Sequence, residues 1–175
     1  MISDKIVVWI AQGFGLGRLP KAPGTFGSLG GLVWMAVLLA TGNFWLYFVG
    51  AILGVLAAVW ICGRAEKILG QKDPQSVVLD EIVAVPFCFA FLFLTMALIS
   101  KSPGSATLLP GDMFDPRKQY WLITLGGFVA FRFFDIVKPW PVGKSQSLPG
   151  GWGIVVDDLL AALYVNLLSP FLIIG

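Results

Sequence analysis

Residues 22–63 read APGTFGSLGGLVWMAVLLATGNFWLYFVGAILGVLAAVWICG, without one Asp, Glu, Lys or Arg. The only polar break inside this run is Thr41-Gly42-Asn43. A hydrocarbon core takes about 20 apolar residues per crossing helix, so the run predicts two helices, at 27–40 and 44–63, the first of them short for a full crossing. Working outward, 82–100, 119–131 and 159–175 are also uncharged. They predict further helices at 82–100, with Pro86 near its start where a missing N–H costs least, at 120–137, and at 158–173, where Pro170 is placed to end the helix early. The expected fold is all-α: a small polytopic membrane bundle of about five embedded helices, forming one domain over 1–175.

Composition supports this class. The chain has 175 residues, 57% hydrophobic and 13% charged, with a mean hydropathy of +0.85. An average soluble domain carries roughly 25% charged residues, so a solvated surface is excluded, and so is disorder. A net charge of +2 and a pI near 8.6 provide no broad basic field for nucleic acid. There is no histidine, which removes Ser/His/Asp triads and the ordinary zinc-hydrolase ligand sets. Cys62 and Cys88 lie inside apolar runs and read as small core residues. Residues 1–17 hold too short an apolar patch for a cleavable signal peptide and are expected to lie along the membrane surface.

With alternating passes, Lys5, Arg18, Lys21, Arg64, Lys67, Lys72, Arg132, Lys138 and Lys144 share one side, and Lys101, Arg117 and Lys118 the other. The positive-inside rule then places the N-terminus in the cytoplasm. The same side collects Asp73, Asp80, Glu81, Asp135, Asp157 and Asp158, whereas 101–118 reads as a plain external connector with turns at Pro103 and Pro110. Val77 to Ala84 faintly echoes Ile154 to Ala161, each with an acidic doublet, as a quasi-repeat whose doublets would face each other.

Three groups of residues carry chemistry. Gly13 to Ser28 is rich in glycine, with Arg18, Lys21, Thr25 and Ser28, and runs into a helix. Exposed backbone N–H groups with a basic countercharge bind phosphate, although no Walker pattern is present. The structural alternative is an interfacial turn with Ser28 or Thr25 as helix cap. Asp80-Glu81 and Asp157-Asp158 stand at predicted helix N-termini, where the dipole favours one carboxylate but leaves the second unexplained. Carboxylates at the border of hydrocarbon need a partner, and without histidine a hard cation such as Mg²⁺ suits them. Arg132 and Asp135 are spaced for an ion pair ahead of Lys138-Pro139-Trp140-Pro141, with Trp140 also readable as an interfacial anchor. Gly50-x-x-x-Gly54 reads as helix packing.

Together these stretches resemble the phosphatidylglycerophosphatase A family: KAPGTFGSL at 21–29, SVVLDE at 76–81, FRFFDIVKPWP at 131–141 and GGWGIVVDD at 150–158, in the family's order and spacing. Departures are Lys72-Asp73-Pro74-Gln75 before the first doublet, Ala84 where glycine is common, and Pro149 where a histidine often stands. The resemblance implies a Mg²⁺-dependent phosphatase of the bacterial inner membrane, with its site facing the cytoplasm, converting phosphatidylglycerophosphate to phosphatidylglycerol and phosphate. On that reading Asp80, Glu81, Asp157 and Asp158 are metal ligands, with Asp135 assisting catalysis. Lys21, Gly24, Thr25, Gly27, Ser28, Arg132 and Lys138 then bind the substrate phosphate, and the lipid tails lie between helices. Competing expectations are a phosphatase for another lipid phosphate and, from a different class, a small cation-coupled transporter.

Overall fold

The polar break at Thr41-Gly42-Asn43 is a helix boundary in the computed structural model, which describes residues 3–99, 110–118 and 120–174, and side chains over 3–95, 111–118 and 120–168. The Asn43 side chain accepts hydrogen bonds from the backbone N–H groups of Trp45 and Leu46, at 2.9 and 3.2 Å. It thereby caps helix α3 (Phe44–Leu69), and α2 (Pro23–Leu39) precedes the turn. Before them come α1 (Asp4–Ala11) and a 3-10 turn (Gly13–Arg18). After them come α4 (Leu79–Ala84), a second 3-10 turn (Val85–Phe89), α5 (Ala90–Ile99), α6 (Pro110–Phe114), α7 (Tyr120–Val137), α8 (Val142–Ser145) and α9 (Gly151–Ile174). Among the described residues the protein is helical, with no β-strand.

Three helices are long and apolar enough to cross a membrane: Phe44–Leu69, Tyr120–Val137 and, within α9, Gly151–Leu168. Pro23–Leu39 is a shorter apolar helix, as the sequence indicated. The predicted 82–100 helix is instead a broken run, α4, 3-10 turn and α5, with Pro86 inside the 3-10 turn. A break at membrane depth frees backbone groups that must be satisfied by protein. Tyr47 Oη donates to the Pro86 carbonyl at 2.7 Å. Asn166 Nδ2 donates to the Phe87 carbonyl, and Asn166 Oδ1 accepts the Phe91 N–H at 2.8 Å.

Two other expectations change. Helix α9 starts at Gly151, not near 158, and continues past Pro170 to Ile174. The connector read at 101–118 falls outside the described residues for 101–109, but its end is α6 rather than a bare turn. Met113 of α6 is fully buried, and Thr124 Oγ1 donates to its carbonyl at 3.1 Å.

Small residues set how closely the helices approach. A Cβ at Gly151 would run into the Val59 carbonyl, and one at Gly63 would lie 2.7 Å from the Gly151 nitrogen, so α3 and α9 cross backbone to backbone. Gly50 and Gly54 face Leu38 and Trp34 of α2, the packing role read for that motif. Cys62 and Cys88 are free thiols buried in the core. Helix α1 packs Val7 and Ala11 inward and leaves Ile6 and Trp9 exposed.

Candidate active site

The site is built where α2, α4, α7 and α9 converge. The lead-in to α4 is stapled to the N-terminal segment: the Val78 N–H donates to the Ala11 carbonyl at 3.0 Å, and Gln12 Nε2 to Ser76 Oγ at 3.3 Å. Arg18 Nε in turn donates to Gln12 Oε1 at 2.7 Å. This anchoring fixes the first turn of α4, which carries Asp80 and Glu81, both buried. From the opposite side α9 presents Asp157 and Asp158, each only 3% exposed. Because α9 starts at Gly151, this doublet sits in the body of the helix and not at its N-terminus, so the dipole does not account for it. Both doublets, with Arg132, Asp135 and Lys138, line one cavity of about 250 Å³.

The basic residues are already engaged there. Arg132 Nη1 donates to Asp135, to Glu81 Oε1 at 3.3 Å and to Ser28 Oγ at 3.4 Å. Lys138 Nζ donates to Asp157 Oδ2 at 2.5 Å. Burial works against the Lys138 charge, but the hydrogen bond and the Asp157 carboxylate outweigh it, so its pKa is raised above the ordinary lysine value. The ammonium therefore stays charged through the neutral range. While Asp157 is ionised, the contribution of the lysine charge to stability is complete below lysine's ordinary pKa and is lost as pH rises through the raised one.

The carboxylates divide into two kinds. Asp157 is saturated: Oδ2 accepts from Lys138 and from Gln146 Nε2 at 3.0 Å, and Oδ1 accepts the Asp158 N–H at 3.1 Å. Asp80 Oδ1, Glu81 Oε2 and Asp158 Oδ2, by contrast, are buried oxygens without a hydrogen-bond partner among the described residues. An unpaired buried acceptor is costly, more so when charged, so these three oxygens point to something the protein chain does not itself provide. Among the described residues, no three acidic or thiol side chains converge into a ready-made metal cage. Mg²⁺ does not require one, since it keeps waters and relies on one or two carboxylates plus substrate phosphate oxygens. The donor set fits that ion.

The glycine-rich stretch is reassigned. Pro23 to Ser28 is the start of α2, entered through Ala22 in the left-handed region, with no side-chain cap from Thr25 or Ser28. Ser28 is fully buried; its hydroxyl donates back to the Gly24 carbonyl at 2.9 Å and accepts from Arg132. Gly24 and Gly27 serve close approach: a Cβ at either would run into a Glu81 carboxylate oxygen. Ala22, Pro23 and Gly24 line the cavity, whereas Lys21 is exposed and neither it nor Thr25 lines it.

Two residues of the site were given no role by the sequence reading, Asp73, which it placed only on the acidic side, and Gln146, which it passed over. Asp73 lines the cavity, and Gln146, between α8 and α9, bridges Asp157 to Asp73 Oδ2 at 3.3 Å. A backbone signal marks the same place. Ala22, Asp73 and Lys138 are non-glycine residues with positive φ, at 48°, 46° and 47°, and all three line the cavity. Such conformations cost roughly 1–3 kcal/mol each and cluster at functional sites.

Apolar helices gathered around a cavity of carboxylates and paired cations define the class, a helical membrane protein with a buried polar site. The particular family follows from comparison with known proteins. Residues 9–173 match the phosphatidylglycerophosphatase A family, and the chain belongs to it. It is accordingly a phosphatase, a hydrolase of phosphoric monoesters. Phosphatidylglycerophosphatase A of Haemophilus influenzae is 33% identical over 156 residues, 89% of this chain and 81% of the relative. That of Escherichia coli is 29% identical over 155 residues, 88% and 76% of the two chains. A Bacteroides thetaiotaomicron protein named "Putative phosphatidylinositol-3-phosphatase" is 33% identical over 161 residues, 90% and 87%. No solved structure matches the chain.

Proposed function

We propose that the protein hydrolyses the terminal phosphomonoester of phosphatidylglycerophosphate to phosphatidylglycerol and inorganic phosphate, with Mg²⁺, at the cytoplasmic face of a bacterial inner membrane. The observation that carries the chemistry is the trio of unpartnered buried oxygens, Asp80 Oδ1, Glu81 Oε2 and Asp158 Oδ2, on one cavity. The substrate rests on the family and on the names of its Haemophilus and Escherichia members. The side rests on the Lys and Arg asymmetry, and the helices short of a crossing, α2 and the broken 79–99 run, complete the five embedded segments.

Asp80, Glu81 and Asp158 are the residues from which the one or two carboxylates that would hold the ion are drawn, with Asp157 held beside them by Lys138 and Gln146. Bound there, Mg²⁺ supplies Lewis-acid stabilisation of the phosphoryl oxygens and acidifies a water. The chain's own groups do the rest. Arg132, fixed by Glu81, Asp135 and Ser28, and Lys138, fixed by Asp157, present positive charge to the phosphate. A carboxylate of the acidic set takes the proton of the attacking water. The water oxygen bonds to phosphorus, the bond from phosphorus to the glycerol oxygen breaks, and that oxygen takes up a proton from the carboxyl so formed. Lys21 and Thr25, also expected at the phosphate, do not line the cavity and are assigned no step here.

Phosphate release from phosphatidylglycerophosphate in detergent micelles, with Mg²⁺ and with chelator, tests the proposal, with a phosphatidylinositol 3-phosphate arm beside it. The second arm is included because the Bacteroides relative is named for that lipid. Release confined to the inositol lipid would keep the site chemistry and replace the substrate.

A further inference from the structure

The catalytic cavity accommodates a phosphate group but not the tails of a phospholipid, which have to leave it on some path. A second concavity, of about 390 Å³ and almost wholly apolar, lies between the first 3-10 turn and α2, lined by Phe14, Leu16, Gly30, Val33, Val37 and Ile82 among others. Its size is that of a small-ligand site. The two cavities share no lining residue, but both border α2 and α4. On α4, Ile82 of the groove follows Glu81 of the cavity. On α2, Pro23 of the cavity is in register with Gly30 and Val37 of the groove, seven and fourteen residues on, so they fall on one stripe of the helix. At 1.5 Å per residue Gly30 and Val37 lie roughly 10 and 21 Å along the helix from Pro23. The groove therefore leads from the phosphate site along a membrane-embedded helix, into a hydrocarbon layer about 30 Å thick.

Its shape depends on particular residues. Gly30 leaves the floor open, since a Cβ there would stand 3.0 Å from Leu16 Cδ1 and 3.3 Å from Ile82 Cγ1. At the rim Phe14 has φ 59° and is 61% exposed, with its ring edge-on to Trp9 at 5.1 Å. Exposed aromatic pairs of this kind sit at headgroup level, which is where a tail would enter.

Given the lipid-phosphatase reading above, on which this rests, we propose that the groove holds one acyl chain of the substrate and so orients the phosphate in the cavity. Chain and groove gain little free energy over chain and bilayer, because both surroundings are apolar. The groove acts by position.

The test is Val33→Trp. Val33 is 65% exposed and its replacement is apolar, so the fold is kept while the groove is filled. Val49→Trp, on the exposed face of α3 away from the groove, is the control. Both are assayed against the wild type on dioleoyl and dihexanoyl phosphatidylglycerophosphate in the same micelles. A misplaced reacting group costs one or two orders of magnitude, so Val33→Trp is expected to lower kcat/KM for the dioleoyl lipid about tenfold. The dihexanoyl lipid should change less than about twofold, and Val49→Trp should change neither. Equal loss on both lipids, or no loss on the dioleoyl lipid, overturns the acyl groove while leaving the phosphatase intact. No release from either lipid by the wild type instead overturns the underlying reading of the substrate.

Discussion

At the scale of single residues, the division of the carboxylates predicts opposite responses to similar substitutions. Asp158→Asn removes a buried carboxylate with a partnerless oxygen, so phosphate release should fall by at least about a hundredfold while thermal stability in detergent is kept or rises. Asp80→Asn should behave alike, and normal turnover in it would remove Asp80 from the ion site. Asp157→Ala instead strips the partner from Lys138 and Gln146, and should lower stability by about 1–3 kcal/mol. Equal melting temperatures for the Asp157 and Asp158 variants would contradict the division. Lys138→Ala should raise KM more than it lowers kcat. The acidic doublets were legible in the sequence because carboxylates at the edge of uncharged runs are conspicuous. Gln146 was not, because an amide in a loop has no period and its partner Asp73 is distant in sequence. Lys21 and Thr25 looked equivalent to Gly24 in a basic, glycine-rich stretch. In the structure Gly24 lines the cavity and Lys21 and Thr25 do not, a difference that the sequence pattern does not carry.

At the scale of elements, the break between α4 and α5 depends on Asn166. Asn166→Leu should leave the Phe87 carbonyl and the Phe91 N–H unsatisfied in apolar surroundings, lowering stability by about 1–3 kcal/mol. Detergent thermal unfolding measures this, and an unchanged transition would mean that the broken run does not need its side-chain partner. Helix α7 was read at its observed bounds because charged and proline-rich flanks enclose it. The start of α9 was missed because Gly150-Gly151-Trp152-Gly153 has the look of a turn. In the structure Gly151 is helical and is glycine because the Val59 carbonyl of α3 occupies the space a Cβ would need. Pro86 was expected near a helix start, and the 3-10 turn around it depends on contacts from Tyr47 and Asn166 that no local pattern reveals.

For the whole molecule, composition was sufficient for the membrane class, because 13% charge cannot cover a solvated surface, and the long uncharged runs indicated helices. The number of crossings was less accessible, since α2 and the 79–99 run derive their place from packing rather than length. Sidedness can be measured directly: with Cys62 and Cys88 buried, Lys5→Cys should label from the cytoplasmic side only and Lys118→Cys from the outside only. Both labelling from one side would overturn the topology. The most direct test of the central claim is phosphate release from phosphatidylglycerophosphate by the purified protein, with Mg²⁺ and with excess chelator. Release that chelation abolishes and added Mg²⁺ restores is the predicted result; undiminished release in chelator would contradict an ion held by carboxylates drawn from Asp80, Glu81 and Asp158.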